Sequence, residues 1–177
     1  MRGGVFVGYE GSWSGMRKYL EKEMLADSLK GRVRYGCTRS RDMDYLIRSF
    51  EVCIDDDYKK QFSWDALYGD LGKKGFEDSE RTWSGMGDYI EIVAKENRDV
   101  YICREFCDAL GEYRNQDIKI SLYSYNPIVR MFAILDRRVG KRTLEKLKDS
   151  IDEQPEWLKR FYTLRLGAEN IIKKDGE

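Results

Sequence analysis

The hydrophobic period of the chain changes at Gly31, and this change constrains the fold more than any other feature. Between Ser12 and Leu29 the apolar residues recur every three or four positions, which predicts a helix with Ser12 as its N-cap. Gly31 is placed to end that helix as a C-cap glycine. From Val33 to Cys37 the apolar residues then alternate, and a period of two predicts a half-buried strand.

Two more strands are predicted directly afterwards. The second runs from about Ile47 to Ile54, and the third runs from Tyr58 to Phe62. Three aspartates, residues 55–57, form a polar turn between them, so the three strands make an antiparallel meander. A short helix capped by Ser63 and a mobile loop over residues 72–81 are predicted to follow.

Helical spacing dominates the rest of the chain. Asp117 is placed to cap a short helix, Asn126 precedes Pro127 as an N-cap before a first-turn proline, and Pro155 opens the last helix. Apolar residues at helical spacing predict helices around residues 90–97, 106–113, 118–122, 127–139, 144–151 and 155–168. Strands in the first third and helices elsewhere predict an α+β fold, with a small antiparallel sheet packed against the N-terminal helix and a helical C-terminal half.

Length and composition limit the classes of protein to which the chain can belong. The 177 residues suit one domain, with a sheet-containing part over about residues 1–71 and a helical part over about residues 82–172. No secretory signal or membrane-length apolar run is found, so we expect a cytoplasmic protein without a membrane partner and with reduced, buried cysteines. The 32 basic residues balance the 32 acidic ones, so a charged partner must be met by a local patch.

Catalytic signals are few. The chain has no histidine, which removes the commonest general base and metal ligand, and it has neither a phosphate-binding nor a dinucleotide-binding glycine motif. We expect no cofactor. The acidic cluster Asp55, Asp56 and Asp57 leaves one enzymatic alternative, a metal-dependent phosphoesterase or nuclease that holds a hard cation such as Mg²⁺. A solvated acidic turn is the favoured interpretation of the same residues.

The most distinctive local feature is a basic segment between two predicted helices. We call it the basic junction, and its members are Arg130, Arg137, Arg138, Lys141, Arg142 and Lys146. Arginines can bind phosphates in a bidentate way, so a nucleic acid or a nucleoprotein is a candidate partner. For the segment by itself the favoured interpretation is structural, in which Arg137 and Arg138 pair with carboxylates such as Asp136, Asp149 and Glu153 and lock the helix packing, or simply solvate the helices.

A four-residue sequence occurs twice, as Trp13-Ser14-Gly15-Met16 and as Trp83-Ser84-Gly85-Met86. The residues after the two copies diverge, which favours two similar helix starts over a duplicated unit. Exposed aromatics in these two segments suggest an alternative in which the protein acts as a homodimer.

Three segments carry a resemblance to a known family. They are residues 13–33, residues 126–144, which include Asn126-Pro127 and the run from Asp136 to Leu144, and residues 161–165. With these segments the chain resembles a family of small bacterial cytosolic proteins, found among Firmicutes and enteric bacteria, that has no established activity. The resemblance therefore implies kinship without a mechanism.

Together these features favour a non-enzymatic binding or regulatory protein. Its expected partner is a nucleic acid or a nucleic-acid-bound enzyme that contacts the basic junction. Small size and the lack of catalytic groups are also typical of mobile-element inhibitors of host defence nucleases, such as anti-CRISPR proteins. The phosphoesterase and the homodimer remain the alternatives.

Overall fold

The computed structural model describes residues 12–42, 45–63 and 100–173. Within these ranges three strands are followed by a helical half, so the predicted α+β fold is confirmed. The strands are β1 (Val33–Asp42), β2 (Tyr45–Ile54) and β3 (Tyr58–Phe62). The helices are α1 (Trp13–Lys18), α2 (Cys103–Asn115), α3 (Ile118–Leu122), α4 (Pro127–Leu135), α5 (Lys141–Leu147) and α6 (Glu156–Ala168). The helices predicted after Ser63 and around residue 90, the loop over residues 72–81 and the second Trp-Ser-Gly-Met segment lie outside the described residues.

The N-terminal helix is shorter than predicted. After α1 the chain becomes π-helical over Tyr19–Met24, leaves the helix at Leu25 and forms a 3₁₀ turn over Asp27–Leu29. The prediction of one helix up to Leu29 is therefore wrong. The cause is a β-bridge between Leu25 and Asp136.

Two hydrogen bonds make this bridge. The Met24 carbonyl accepts from the Arg137 N–H at 2.8 Å, and the Ala26 N–H donates to the Leu135 carbonyl at 2.9 Å. These partners replace the bonds that a continued helix would have made, so tertiary contacts override the local helical pattern.

The sheet has the order β1-β2-β3 with antiparallel pairing throughout. Val33 lies opposite Ile54 and Cys37 lies opposite Phe50, so the alternating apolar residues of β1 and β2 share a face. On the far side of β1, the Tyr35 N–H donates to the Glu21 carboxylate at 2.9 Å. The π-helical segment thus covers part of the free edge of the sheet.

Three predicted N-caps are confirmed. The Ser12 side chain accepts from the Gly15 N–H at 3.1 Å at the start of α1. The Asn126 side chain accepts from the Ile128 N–H at 3.0 Å at the start of α4, and the Asp117 side chain accepts from the Lys119 N–H at 2.7 Å at the start of α3. These bonds satisfy donors that a first turn otherwise leaves unpaired. Among the described residues, no helix is long and apolar enough to cross a membrane.

Helix α4 lies at the centre of the core, and seven of its nine residues are buried. Phe132 on α4 stacks on Tyr113 at a ring-centroid distance of 5.3 Å and on Tyr35 at 6.1 Å. Phe50 on β2 stacks on Phe106 at 4.6 Å. These aromatic pairs join the sheet to the helical half, and they place the C-terminal end of α4 beside the N-terminal segment.

Candidate functional site

The turn after α4 is organised around a buried carboxylate. The side chain of Asp136 is fully buried and accepts a short hydrogen bond from the Tyr113 hydroxyl. It also accepts from the Arg138 N–H at 2.7 Å, and the Arg138 guanidinium donates through Nε and Nη2 at 2.7–3.1 Å. This bidentate, charge-assisted contact fixes the guanidinium of Arg138 on the carboxylate.

The pKa values of the two partners of Asp136, Arg138 and Tyr113, are both raised. The hydrogen bond to Asp136 raises the pKa of Arg138. Burial raises the pKa of Tyr113, and the negative charge of Asp136 adds to that effect. The carboxylate is therefore held in place by a permanent cation and a permanently neutral phenol.

A second buried network supports the same turn from the other side. Arg165 on α6 is only 3% exposed, and its Nη2 donates to the Val139 carbonyl at 3.1 Å. Its Nη1 donates to Ser28 Oγ at 2.8 Å and makes a short ion pair with Glu169. Ser28 donates in turn to Glu169 at 2.7 Å. Asp136 and Arg165 thus hold both ends of the four-residue turn 136–139.

Arg130 is also engaged in the structure. Its Nε donates to Gln154 at 3.0 Å, and its Nη1 donates to the Ser124 carbonyl at 2.6 Å and to the Tyr125 carbonyl at 3.2 Å. Two members of the predicted basic junction, Arg130 and Arg138, therefore hold the fold together.

The other four members of the basic junction differ from these two. Each is exposed, and each side chain lacks a hydrogen bond or ion pair within the described ranges. We call this set the exposed quartet, and its members are Arg137, Lys141, Arg142 and Lys146. Arg142 and Lys146 are four residues apart on α5 and therefore lie on one face of the helix.

Cations outnumber carboxylates in the segment that carries the exposed quartet. Lys148 adds a fifth exposed cation, whereas Glu145 and Asp149 are the acidic residues in this segment. Lys141 helps to lower the pKa of Glu169, although the hydrogen bond from Ser28 is the main cause of that shift. The excess of cations over carboxylates makes this surface suitable for an anion.

Two of the three aspartates in the acidic turn pair with neighbouring arginines. Arg32 binds Asp55 through two hydrogen bonds of 2.9 and 2.6 Å, and Arg34 makes a short ion pair with Asp56. The contact with Arg32 lowers the pKa of Asp55. No group of three metal-ligating side chains is found among the described residues, so the cation site over Asp55, Asp56 and Asp57 gains no support.

All four cysteines are free thiols. Cys107 is buried, and the other three are partly buried. Burial raises the pKa of Cys37, Cys53 and Cys103, which lowers their reactivity.

Sequence reasoning missed Arg165 and Tyr113. A signal for Arg165 was present, because it is a charged residue four positions after Phe161 on the helix face that is otherwise apolar. Such a residue is buried only with partners. Nothing local marked Tyr113, since its partner Asp136 is distant in sequence.

Comparison with known proteins completes the description. No curated protein and no solved structure matches the chain significantly. One family model does match, and it covers residues 12–166, which include Asp136, Arg138, Arg165 and the exposed quartet. The chain belongs to the SF0329 protein family.

Proposed function

We propose that this protein is a non-enzymatic binding protein of the bacterial cytoplasm that docks on the phosphates of a nucleic acid, free or bound to an enzyme, through the exposed quartet. The expected role is regulatory. Inhibition of a host defence nuclease, as by an anti-CRISPR protein, is the form of regulation that fits a small protein without catalytic groups.

One observation carries the proposal. The exposed quartet has no ion pair among the described residues, yet the turn 136–139, which carries Arg137 and leads into α5 with the other three members, is fixed by the buried side chains of Asp136 and Arg165. Fixing the backbone in advance reduces the entropy lost on binding, which favours a surface that binds a partner. Cations that only keep a protein soluble need no such support.

The six residues of the basic junction have two different roles in this proposal. Arg130 and Arg138 contribute by holding the surface in shape, because their guanidinium groups are already bound to protein acceptors. Arg137, Lys141, Arg142 and Lys146 contribute the phosphate contacts. Replacement of the first pair should therefore destabilise the fold, whereas replacement of the quartet should leave the fold intact.

The test is binding of labelled DNA and RNA by fluorescence anisotropy across a salt series. If four phosphates are contacted, affinity for duplex DNA should fall by roughly a hundredfold between about 50 and 200 mM salt. A variant with alanine at all four quartet positions should lose most of this binding and flatten the salt dependence.

A matched control carries the same loss of charge elsewhere. Alanine at Lys18, Lys22, Arg39 and Lys173 removes four exposed cations that lie outside residues 137–146. This control should bind as the parent protein does. Equal binding by the quartet variant and the parent, or no binding by either, would refute the proposed function.

A further inference from the structure

Three neighbouring apolar side chains project into solvent beside α4. Ile120 is 60% exposed, Tyr123 is 66% exposed and Tyr125 is fully exposed. They are the large hydrophobic residues with high exposure in the described part of the chain. We call this set the aromatic tip, and large apolar groups that gather at one exposed place commonly mark a binding site.

The aromatic tip is held rigidly. Arg130 donates to the carbonyls of Ser124 and Tyr125, and the Asn126 N–H donates to Ser124 Oγ at 3.1 Å. Ser124 Oγ donates in turn to Glu112 on α2 at 3.0 Å. The turn that carries both tyrosines is thus fixed by four hydrogen bonds, so their rings are presented at little entropic cost.

A chain of hydrogen bonds connects the tip to the end of α5. Gln154 donates to the Ser150 carbonyl at 3.0 Å, just beyond α5, and accepts from Arg130 at 3.0 Å. Arg130 then holds the Tyr125 carbonyl. Arg142 and Lys146 lie on α5, so this chain of hydrogen bonds links the tip to the turn that follows the helix carrying them.

Charges of both signs lie beside the tip, since Ser124 contacts Glu112 and Asp117 caps α3, and two of these charges are cations. Arg130 is bound to carbonyl and amide oxygens, and no carboxylate neutralises it among the described residues. Lys119 is exposed and makes no ion pair in the same part of the chain. Aromatic faces next to such cations match the bases and phosphates of a nucleic acid strand.

We propose that the aromatic tip binds single-stranded nucleic acid by stacking unpaired bases on Tyr123 and Tyr125, while the strand's phosphates continue onto the exposed quartet. This inference rests on the proposed function and specifies its ligand. A duplex keeps its base faces stacked internally, so the tip adds affinity for a single strand alone. Isolated tyrosines stack on any base, so we expect weak sequence preference.

The test uses the full chain and one oligonucleotide of about 12 nucleotides, single-stranded or annealed to its complement. The parent protein should bind the single strand more tightly. The double variant Tyr123→Ala, Tyr125→Ala should lose roughly 10- to 100-fold in single-strand affinity, as expected for one or two stacked bases. The slope of affinity against salt should not change, because no phosphate contact is removed.

A conservative variant provides the control. Tyr123→Phe, Tyr125→Phe keeps both rings and should bind as the parent does. Circular dichroism checks that the variants fold, which is expected because both side chains lie largely outside the core.

The outcomes separate the two proposals. If the quartet variant loses binding but the alanine double variant does not, or if the duplex binds as tightly as the single strand, the aromatic tip is not a stacking site and the proposed function stands. If the parent binds neither form, both proposals fail. Loss of a protein partner from nuclease-treated extract on tyrosine replacement, with nucleic acid binding unchanged, would assign the tip to protein recognition and overturn the stacking proposal.

Discussion

Replacement of Asp136 by alanine should destabilise the fold more than any surface change near the exposed quartet. The substitution strands the buried hydroxyl of Tyr113 and the Arg138 N–H, and a buried polar group without a partner costs about 1–3 kcal/mol. The Arg138 guanidinium is 44% exposed and can return to water, which limits its share of the cost. We therefore expect a loss of about 3–4 kcal/mol, close to the value for breaking a buried ion pair.

Urea unfolding followed by circular dichroism measures this loss. In thermal unfolding, a loss of this size should lower the midpoint temperature of a chain of this length by about 6–15 °C. Asp149→Ala is the matched control, because Asp149 is an exposed carboxylate near the same turn, and it should change stability by less than about 0.5 kcal/mol.

A double-mutant cycle tests the hydrogen bond between Tyr113 and Asp136 separately. Tyr113→Phe leaves Asp136 paired with Arg138 and should cost about 1–2 kcal/mol. Adding Asp136→Ala to Tyr113→Phe should cost less than Asp136→Ala alone, because no hydroxyl is then left unpaired. An Asp136→Ala variant as stable as the Asp149→Ala control would refute the argument that this carboxylate anchors the turn.

Three further predictions concern other parts of the fold. The hydrogen bond from Ser28 and the charge of Arg165 hold the pKa of Glu169 below its usual value. This stabilisation is fully present above about pH 4.5 and is lost as the pH falls through the lower folded-state pKa. The difference in stability between the parent and Glu169→Gln should therefore shrink on acidification below about pH 4.5. Urea titrations at several pH values would measure this difference. Gly31 has a φ of +85°, so Gly31→Ala should lower the free energy of unfolding by about 1–2 kcal/mol, and an unchanged urea midpoint would contradict this. Because burial raises the pKa of the Cys37 thiol, alkylation at pH 8 should be slower than that of free cysteine and should speed up on unfolding in urea, as mass spectrometry would follow.

The parts of the fold that were predicted correctly are those set by nearby residues. The alternation after Gly31 predicted the strand β1, because apolar residues with a period of two lie on one face of a sheet. Asn126 capped α4 as predicted, since its oxygen reaches the Ile128 N–H two residues away. Both outcomes depend on interactions that the local sequence contains.

The predictions that were wrong or incomplete concern residues whose hydrogen-bond or ion-pair partners the local pattern does not reveal. The N-terminal helix ends at Met24 because residues 135–137 supply the hydrogen bonds of the bridge, and no local pattern encodes them. The basic junction is evident in the sequence as a cluster of charge, but the sequence does not show which of its members are bound within the fold and which are exposed. Arg138 pairs with Asp136, which was one of the interpretations left open, whereas Arg137, its neighbour in sequence, points into solvent without an ion pair among the described residues.

The bridge between Leu25 and Asp136 has a consequence for the order of folding. It joins segments more than a hundred residues apart, and closing a loop of that length costs about 4 kcal/mol in chain entropy. Contacts of such long range form late, after local helices and the hairpins of the sheet. Arg137 is fixed by its N–H in this same bridge, so a partly folded chain would present it on a loose segment. A partner that requires Arg137 in its native position would therefore bind only chains that have completed folding.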